Sequence, residues 1–180
     1  MRKSTILAEA AENLDMEAVA RVAQKADLEE IYLVDAKVSR DPQNIAPEAL
    51  SLEPTCSTKI VLIDKDNNIL SVLCNFGLAA FNRKSPDKMF MSVEASFSTS
   101  YSLKPLGEFN PDDIEHFSKI NPVYNAWPFW REFVQSMTTR MGFPALTIPL
   151  LKIRPKKAAT KEAKSQPAKT KSTRRKKVNA

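Results

Sequence analysis

Apolar and polar positions follow two different periods along this chain, and the change of period marks its organisation. From Ile6 to about Lys25 the residues Leu7, Ala10, Ala11, Leu14, Ala18 and Val22 recur at intervals of three and four, the stripe of an amphipathic helix. Asp15 offers a cap at which the segment can restart, so one helix and two shorter ones both fit. Glu30 to Val38 then steps by two, with Tyr32, Val34, Ala36 and Val38 on one side and Asp35, Lys37 and Ser39 on the other, which predicts a half-buried strand. A second run, Thr58 to Asp64, leads through Lys65-Asp66-Asn67-Asn68 into a third that starts at Ile69 and extends to about Phe81; together they predict a hairpin. Leu70, Val72, Cys74, Phe76, Leu78 and Ala80 share one face of that third run. The fourth, Met89 to Leu103, separates Met91, Val93, Ala95, Phe97 and Tyr101 from a row of serines and Glu94. Short connections then predict a four-stranded antiparallel meander with one wet face and one covered face.

The cover is predicted at Pro122 to Met141, where Trp127, Trp130, Phe133, Val134, Met137 and Met141 recur at helical spacing. Pro128 is placed in the first helical turn, and Gly142 before Phe143-Pro144 marks the stop. A separate short helix is expected after Pro111, and Ala145 to Leu151 reads as an extended stretch that crosses the domain or lines a groove. The fold class is therefore α+β: a four-stranded antiparallel sheet, a long C-terminal helix on one face and an N-terminal helix.

Charge is segregated. Residues 152–180 hold 12 Lys or Arg and one acid, so this tail carries +11 and residues 1–151 carry −5 of the net +6. With no periodic apolar residues, the tail is expected to be disordered. It suits a sequence-independent electrostatic partner, nucleic acid among them, although it has no aromatic residue for base stacking. An oligomeric nucleic-acid-binding or scaffold protein is the competing reading. No apolar run approaches the roughly 20 residues of a membrane span, and the first 30 residues lack a signal peptide's apolar centre, so a cytoplasmic protein without stable membrane insertion is expected.

Candidate chemistry changes little. Gly77, Gly107 and Gly142 form no phosphate-binding loop, which leaves nucleotide binding without sequence support. Cys56 and Cys74 read as packing thiols, and His116 in Asp112-Asp113-Ile114-Glu115-His116 as part of a capped helix start rather than a metal ligand. No cofactor, no metal and no enzymatic activity are expected.

A resemblance adds to this reading. The block from Ala126 to Leu146 has aromatic-Pro-aromatic at Trp127-Pro128-Phe129, then Arg131-Glu132, apolar helical positions, Arg140 and a Phe143-Pro144-Ala145-Leu146 exit. It resembles the signature helix and turn of the SecB export chaperones. Glu30 to Asp35 resembles that family's first strand and Phe90 to Leu103 its fourth, so the likeness covers about residues 29–151, between an N-terminal segment (1–28) and the basic tail (152–180).

The resemblance implies an ATP-independent holdase, a homodimer or homotetramer, that binds unfolded client polypeptides in a hydrophobic groove. It implies client-binding roles for Tyr124, Trp127, Phe129, Met137, Met141, Phe143, Leu146 and Ile148, and a dock for the translocase motor SecA at Asp35 and Glu94, where Ser39 and Ser92 depart from the family pattern. SecB proteins continue into a second helix where this chain enters its tail. That departure and the N-terminal helix look more like the divergent SecB-like chaperones of toxin-antitoxin systems, leaving protein export and antitoxin protection both open.

Overall fold

The computed structural model describes residues 14–42 and 49–151. A helix at Met16–Ala23 (α1) precedes four strands, Ala26–Arg40 (β1), Leu50–Asp64 (β2), Ile69–Asn82 (β3) and Ser85–Leu103 (β4), and a helix of 30 residues, Pro111–Arg140 (α2). The expected α+β architecture is present, with α2 on one face of a four-stranded antiparallel sheet. Strand order corrects the simple meander: it is β1-β4-β3-β2, so β1 pairs with β4 and both β1 and β2 are edges. The nine residues 41–49 join the two edges. Extended, they reach about 30 Å, twice the three inter-strand steps of about 4.8 Å that must be crossed.

In β3 and β4 the expected alternation holds. Leu70, Val72, Cys74, Phe76, Leu78 and Ala80 are buried beneath the helices together with Met91, Val93, Ala95, Phe97 and Tyr101. β1 departs from its predicted faces because its register slips between Leu28 and Glu30 and again between Leu33 and Asp35. Leu33 lies opposite Phe97, and Ala36 and Val38 lie opposite Ala95 and Val93, all on the α2 side. Tyr32, opposite Ser98, falls on the outer side, because an extra residue in a strand reverses the alternation beyond it. β2 starts at Leu50, eight residues before Thr58. Pro54 interrupts the sequence pattern but is tolerated in an edge strand, where a missing N–H can face solvent. The β2–β3 turn is held by Asp64, whose carboxylate accepts from the backbone N–H of Asp66 and Asn67, and by Asn68 in the left-handed region at φ 58°.

Asp15 decides between the two N-terminal readings at its own position. Its carboxylate caps α1, accepting from Glu17 N at 2.9 Å and Ala18 N at 3.1 Å, so a helix starts at Met16. Ile6 to Asn13 and the basic tail lie outside the described residues. α1 buries Ala18, Val19 and Val22; Val22 joins Leu70, Val72, Tyr101, Leu103, Ile114 and Phe117, and Arg21 grips Asp113 of α2 through two N–H groups.

The cap has a pH signature. The Ala18 N–H beside Asp15 holds its carboxyl below the usual 3.8, and Lys119 does the same for Glu115 below 4.5. A carboxyl depressed in the folded state contributes stability above the unfolded value and loses it as pH falls. The thermal midpoint should therefore be level near neutrality and fall as pH drops through 4.5 and 3.8. Asp15→Asn, which keeps an acceptor oxygen, should reduce that slope in melts across an acid series; an unchanged slope would exclude an ionic share for the cap.

α2 replaces the two helices expected from Pro111 and Pro122. Asn110 caps it through Asp112 N, Pro111 occupies the first turn, and both Pro122 and Pro128 lie inside it. Pro128 is thus not a starting residue. An internal proline normally costs about 3 kcal/mol, so packing must override it here. The buried positions are Ile114, Phe117, Ser118, Ile120, Pro122, Val123 and Ala126 in the first half, then Trp130, Val134 and Thr138 at intervals of four. The buried face is therefore broad in the first half of the helix, where α1 also packs on it, and narrows to a single row in the second. The helix ends with Gly142 at φ 78°, Gly142 N bonding Thr139 O and Phe143 N bonding Thr138 O, the paired closure of a left-handed stop.

Candidate polypeptide-binding surface

The eight candidate side chains distribute over two flanks of α2 and its exit. After the Gly142 turn, residues 144–151 run back along the helix as an extended strap. Leu146 N donates to Thr138 Oγ1 at 3.1 Å, Arg131 Nε to Ile148 O at 2.7 Å and Trp127 Nε1 to Pro149 O at 3.0 Å. These three bonds satisfy strap backbone groups that a neighbouring strand would otherwise take. Leu146, Ile148 and Leu151 pack partly buried against the core that contains Cys74, Val123 and Trp130, as do Cys56, Trp127, Met137 and Met141. The strap therefore covers the α2 flank beside Trp127 with the chain's own residues.

Phe143 anchors the start of the strap. Its ring meets Phe90 edge-on at 5.7 Å, the Arg40 guanidinium lies 4.5 Å from its centroid, and Arg40 also donates to Met141 O. A cation over a ring at an exposed site is worth about 0.5–1 kcal/mol.

The opposite flank is open. Phe129 is 47% exposed, 6.4 Å from Phe97, and Phe133 meets the same ring at 6.5 Å. Leu33 of β1, opposite Phe97, is 45% exposed. Leu33, Phe129 and Phe133 thus surround Phe97 in one apolar strip beside the outer edge of β1, which has no strand partner among the described residues. Tyr124 and Leu150 are also exposed, at 54% and 66%. Leu33 escaped the sequence reading because the predicted alternation assigned it to the polar side; the bulge after it was the missing information.

Asp35 and Glu94 occupy the outer face, opposite Ser96 and Lys37 respectively. A lysine therefore sits directly across from Glu94. Ionisable groups under the helices are quiet: burial pushes the thiols of Cys56 and Cys74 and the phenol of Tyr101 up to about 12, so all three are protonated at neutral pH. Among the described residues no group of three His, Cys, Asp or Glu is placed to hold a metal, and no helix is long and apolar enough to cross a membrane.

An antiparallel β1-β4-β3-β2 sheet covered by one long helix and its returning strap defines a SecB-like fold. The structure of the Mycobacterium tuberculosis SecB-like chaperone Rv1957, in complex with a ChAD peptide from the Rv1956 HigA1 antitoxin, superimposes on this chain with a TM-score of 0.66 at 17% identity, covering 76% of this chain and 98% of that one. A protein of unknown function from Streptococcus agalactiae matches at a TM-score of 0.37 and 12% identity, over 69% of this chain and 97% of its own. No protein-family model and no curated protein sequence matches the chain.

Proposed function

We propose that this protein is an ATP-independent holding chaperone that binds unfolded polypeptide through the strip around Phe97, and that its client is an aggregation-prone protein of the antitoxin kind. The carrying observation is that Leu33 and Phe129 stay nearly half exposed beside the outer edge of β1, which no other described strand pairs. Large apolar side chains in such a strip suit many sequences, because their affinity comes from buried area and not from fixed hydrogen bonds. The antitoxin peptide held by the SecB-like Rv1957 supports that client class. An export role through SecA would require a partner that accepts Lys37 opposite Glu94, which favours antitoxin protection.

Self-association belongs to the same proposal. Two 15-residue strand edges expose backbone N–H and C=O groups, and β1 adds exposed Leu28, Tyr32 and Val34. Sedimentation equilibrium of the full chain should give the mass of a dimer or tetramer; a monomer at micromolar concentration would remove this part. For the holding activity, an unfolded test protein diluted from denaturant should scatter less light when stoichiometric chaperone is present without nucleotide. Unchanged scattering would overturn the proposal.

A further inference from the structure

A cleft of about 520 Å³ opens between the C-terminal half of β2 and the first half of α2. Its apolar lining comes from three elements: Ile60 and Ile63 of β2, Leu106 and Phe109 of the short turn before α2, and Ile114 of α2 itself. The volume falls within the roughly 300–1,000 Å³ typical of small-molecule sites and equals about 17 water volumes. Most polar groups beside this lining are already committed. Glu115, the one acid among the lining residues, is held by Lys119 Nζ at 2.5 Å, and Ser118 Oγ donates to Glu115 O at 2.8 Å. Asp64, next in sequence to Lys65, accepts from Asp66 N, Asn67 N and Asn67 Nδ2, so its carboxylate belongs to the β2–β3 turn. What remains is Lys65, which has no ion pair among the described residues, the Thr58 hydroxyl, which has no hydrogen bond among them, and the Lys119 N–H groups that Glu115 does not use.

Apolar walls below uncommitted cations select a ligand with an apolar body and an anionic end. The nature of the body follows from what the walls lack. A peptide would carry its own N–H and C=O groups into the cleft, each of them costly to bury without a partner, and Thr58 is the one neutral side chain free to bond them. An alkyl chain brings no such groups. We infer that the cleft binds a straight-chain alkyl carboxylate of about ten to fourteen carbons, its chain against Ile60, Ile63, Phe109 and Ile114 and its carboxylate between Lys65 and Lys119. This holds whether or not the protein is a chaperone, because the cleft shares no residue with the strip around Phe97.

The test titrates the full chain calorimetrically with octanoate, octanol and decanoate, each below the concentration at which it self-associates. Decanoate should bind one equivalent per chain. Each buried CH₂ tightens binding about fourfold, so decanoate should exceed octanoate by about tenfold, and octanol, the same chain without the charge, should bind at least about threefold more weakly than octanoate. Lys65→Ala should weaken decanoate about threefold to fivefold. Ile63→Asp should weaken it at least about tenfold by placing a like charge in the cleft, while the urea midpoint holds because Ile63 is largely exposed. Absence of decanoate binding at millimolar concentration would overturn the inference, as would octanol binding as tightly as octanoate. Binding that survives Ile63→Asp and is lost in Phe129→Ser with Leu33→Ser would overturn it too, by placing the acid at the strip around Phe97. A short peptide ending in leucine, with its carboxylate free, should not displace decanoate; displacement at lower concentration than octanoate would give the cleft to polypeptide ends instead.

Discussion

Trp130→Ala should lower the stability of the fold by about 3–5 kcal/mol, the range for removing a large aromatic from a core. Trp130 is 2% exposed, stacks on Phe76 at 5.4 Å with the rings 12° from parallel, and sits 6.4 Å from Phe133. Phe76 in turn contacts Phe97 and Trp127, so one ring joins β3, β4 and the strap flank of α2. Its loss leaves a cavity that rigid strands cannot close, whereas a surface helix could shift to fill it. In urea, with a slope of about 1–3 kcal/mol/M, the midpoint should fall by at least about 1 M. A shift near zero would mean that the stack carries little of the packing. The tryptophan three residues earlier gives the contrast: Trp127 is only partly buried and ends in a hydrogen bond to Pro149 O, so Trp127→Phe should loosen the strap and cost much less.

The difference between those two tryptophans explains what the sequence could reveal. Alternation in β3 and β4 is legible because both strands are central, so each inward residue is covered by neighbours on either side and is apolar, except Thr99, whose buried hydroxyl donates to Val72 O. Edge strands obey weaker rules. β1 carries two register slips and β2 carries Pro54, and neither feature leaves a period-two signal to follow. The sequence predicts two helices where α2 is one, because a proline at 122 or 128 is an ordinary place for a helix to begin; packing against the sheet and α1 carries the helix through both. Aromatic spacing on α2 likewise identified a contact surface without separating its flanks. Trp127, Leu146 and Ile148 meet each other through a strap that doubles back, and the bonds that fold it back join residues 8 to 22 positions apart. Phe129 was visible from the sequence, but its neighbour Leu33 comes from a strand nearly 100 residues earlier.

The second large effect falls on client binding. Phe129→Ser combined with Leu33→Ser should weaken suppression of aggregation at least about tenfold while the fold survives. Full burial of such a side chain contributes about 1.5–3 kcal/mol, and a client can cover only the exposed half of each, so losing both removes about 1.5–3 kcal/mol, or one to two orders of magnitude in affinity. Because each is nearly half exposed already, their own share of the folded core is small, and the urea midpoint should move far less than for Trp130→Ala. The contrasting pair is Phe143→Ser with Leu146→Ser. Phe143 lies against Phe90 and Arg40, and Leu146 against the central core, so these changes should lower the midpoint by releasing the strap. Light scattering at matched folded concentration separates the two cases. If Phe129→Ser with Leu33→Ser retains full protection, clients do not use the open flank of α2. If only Phe143→Ser with Leu146→Ser loses protection without unfolding, the strap side is the binding surface, and the covering role given to residues 144–151 must yield to a displaceable one.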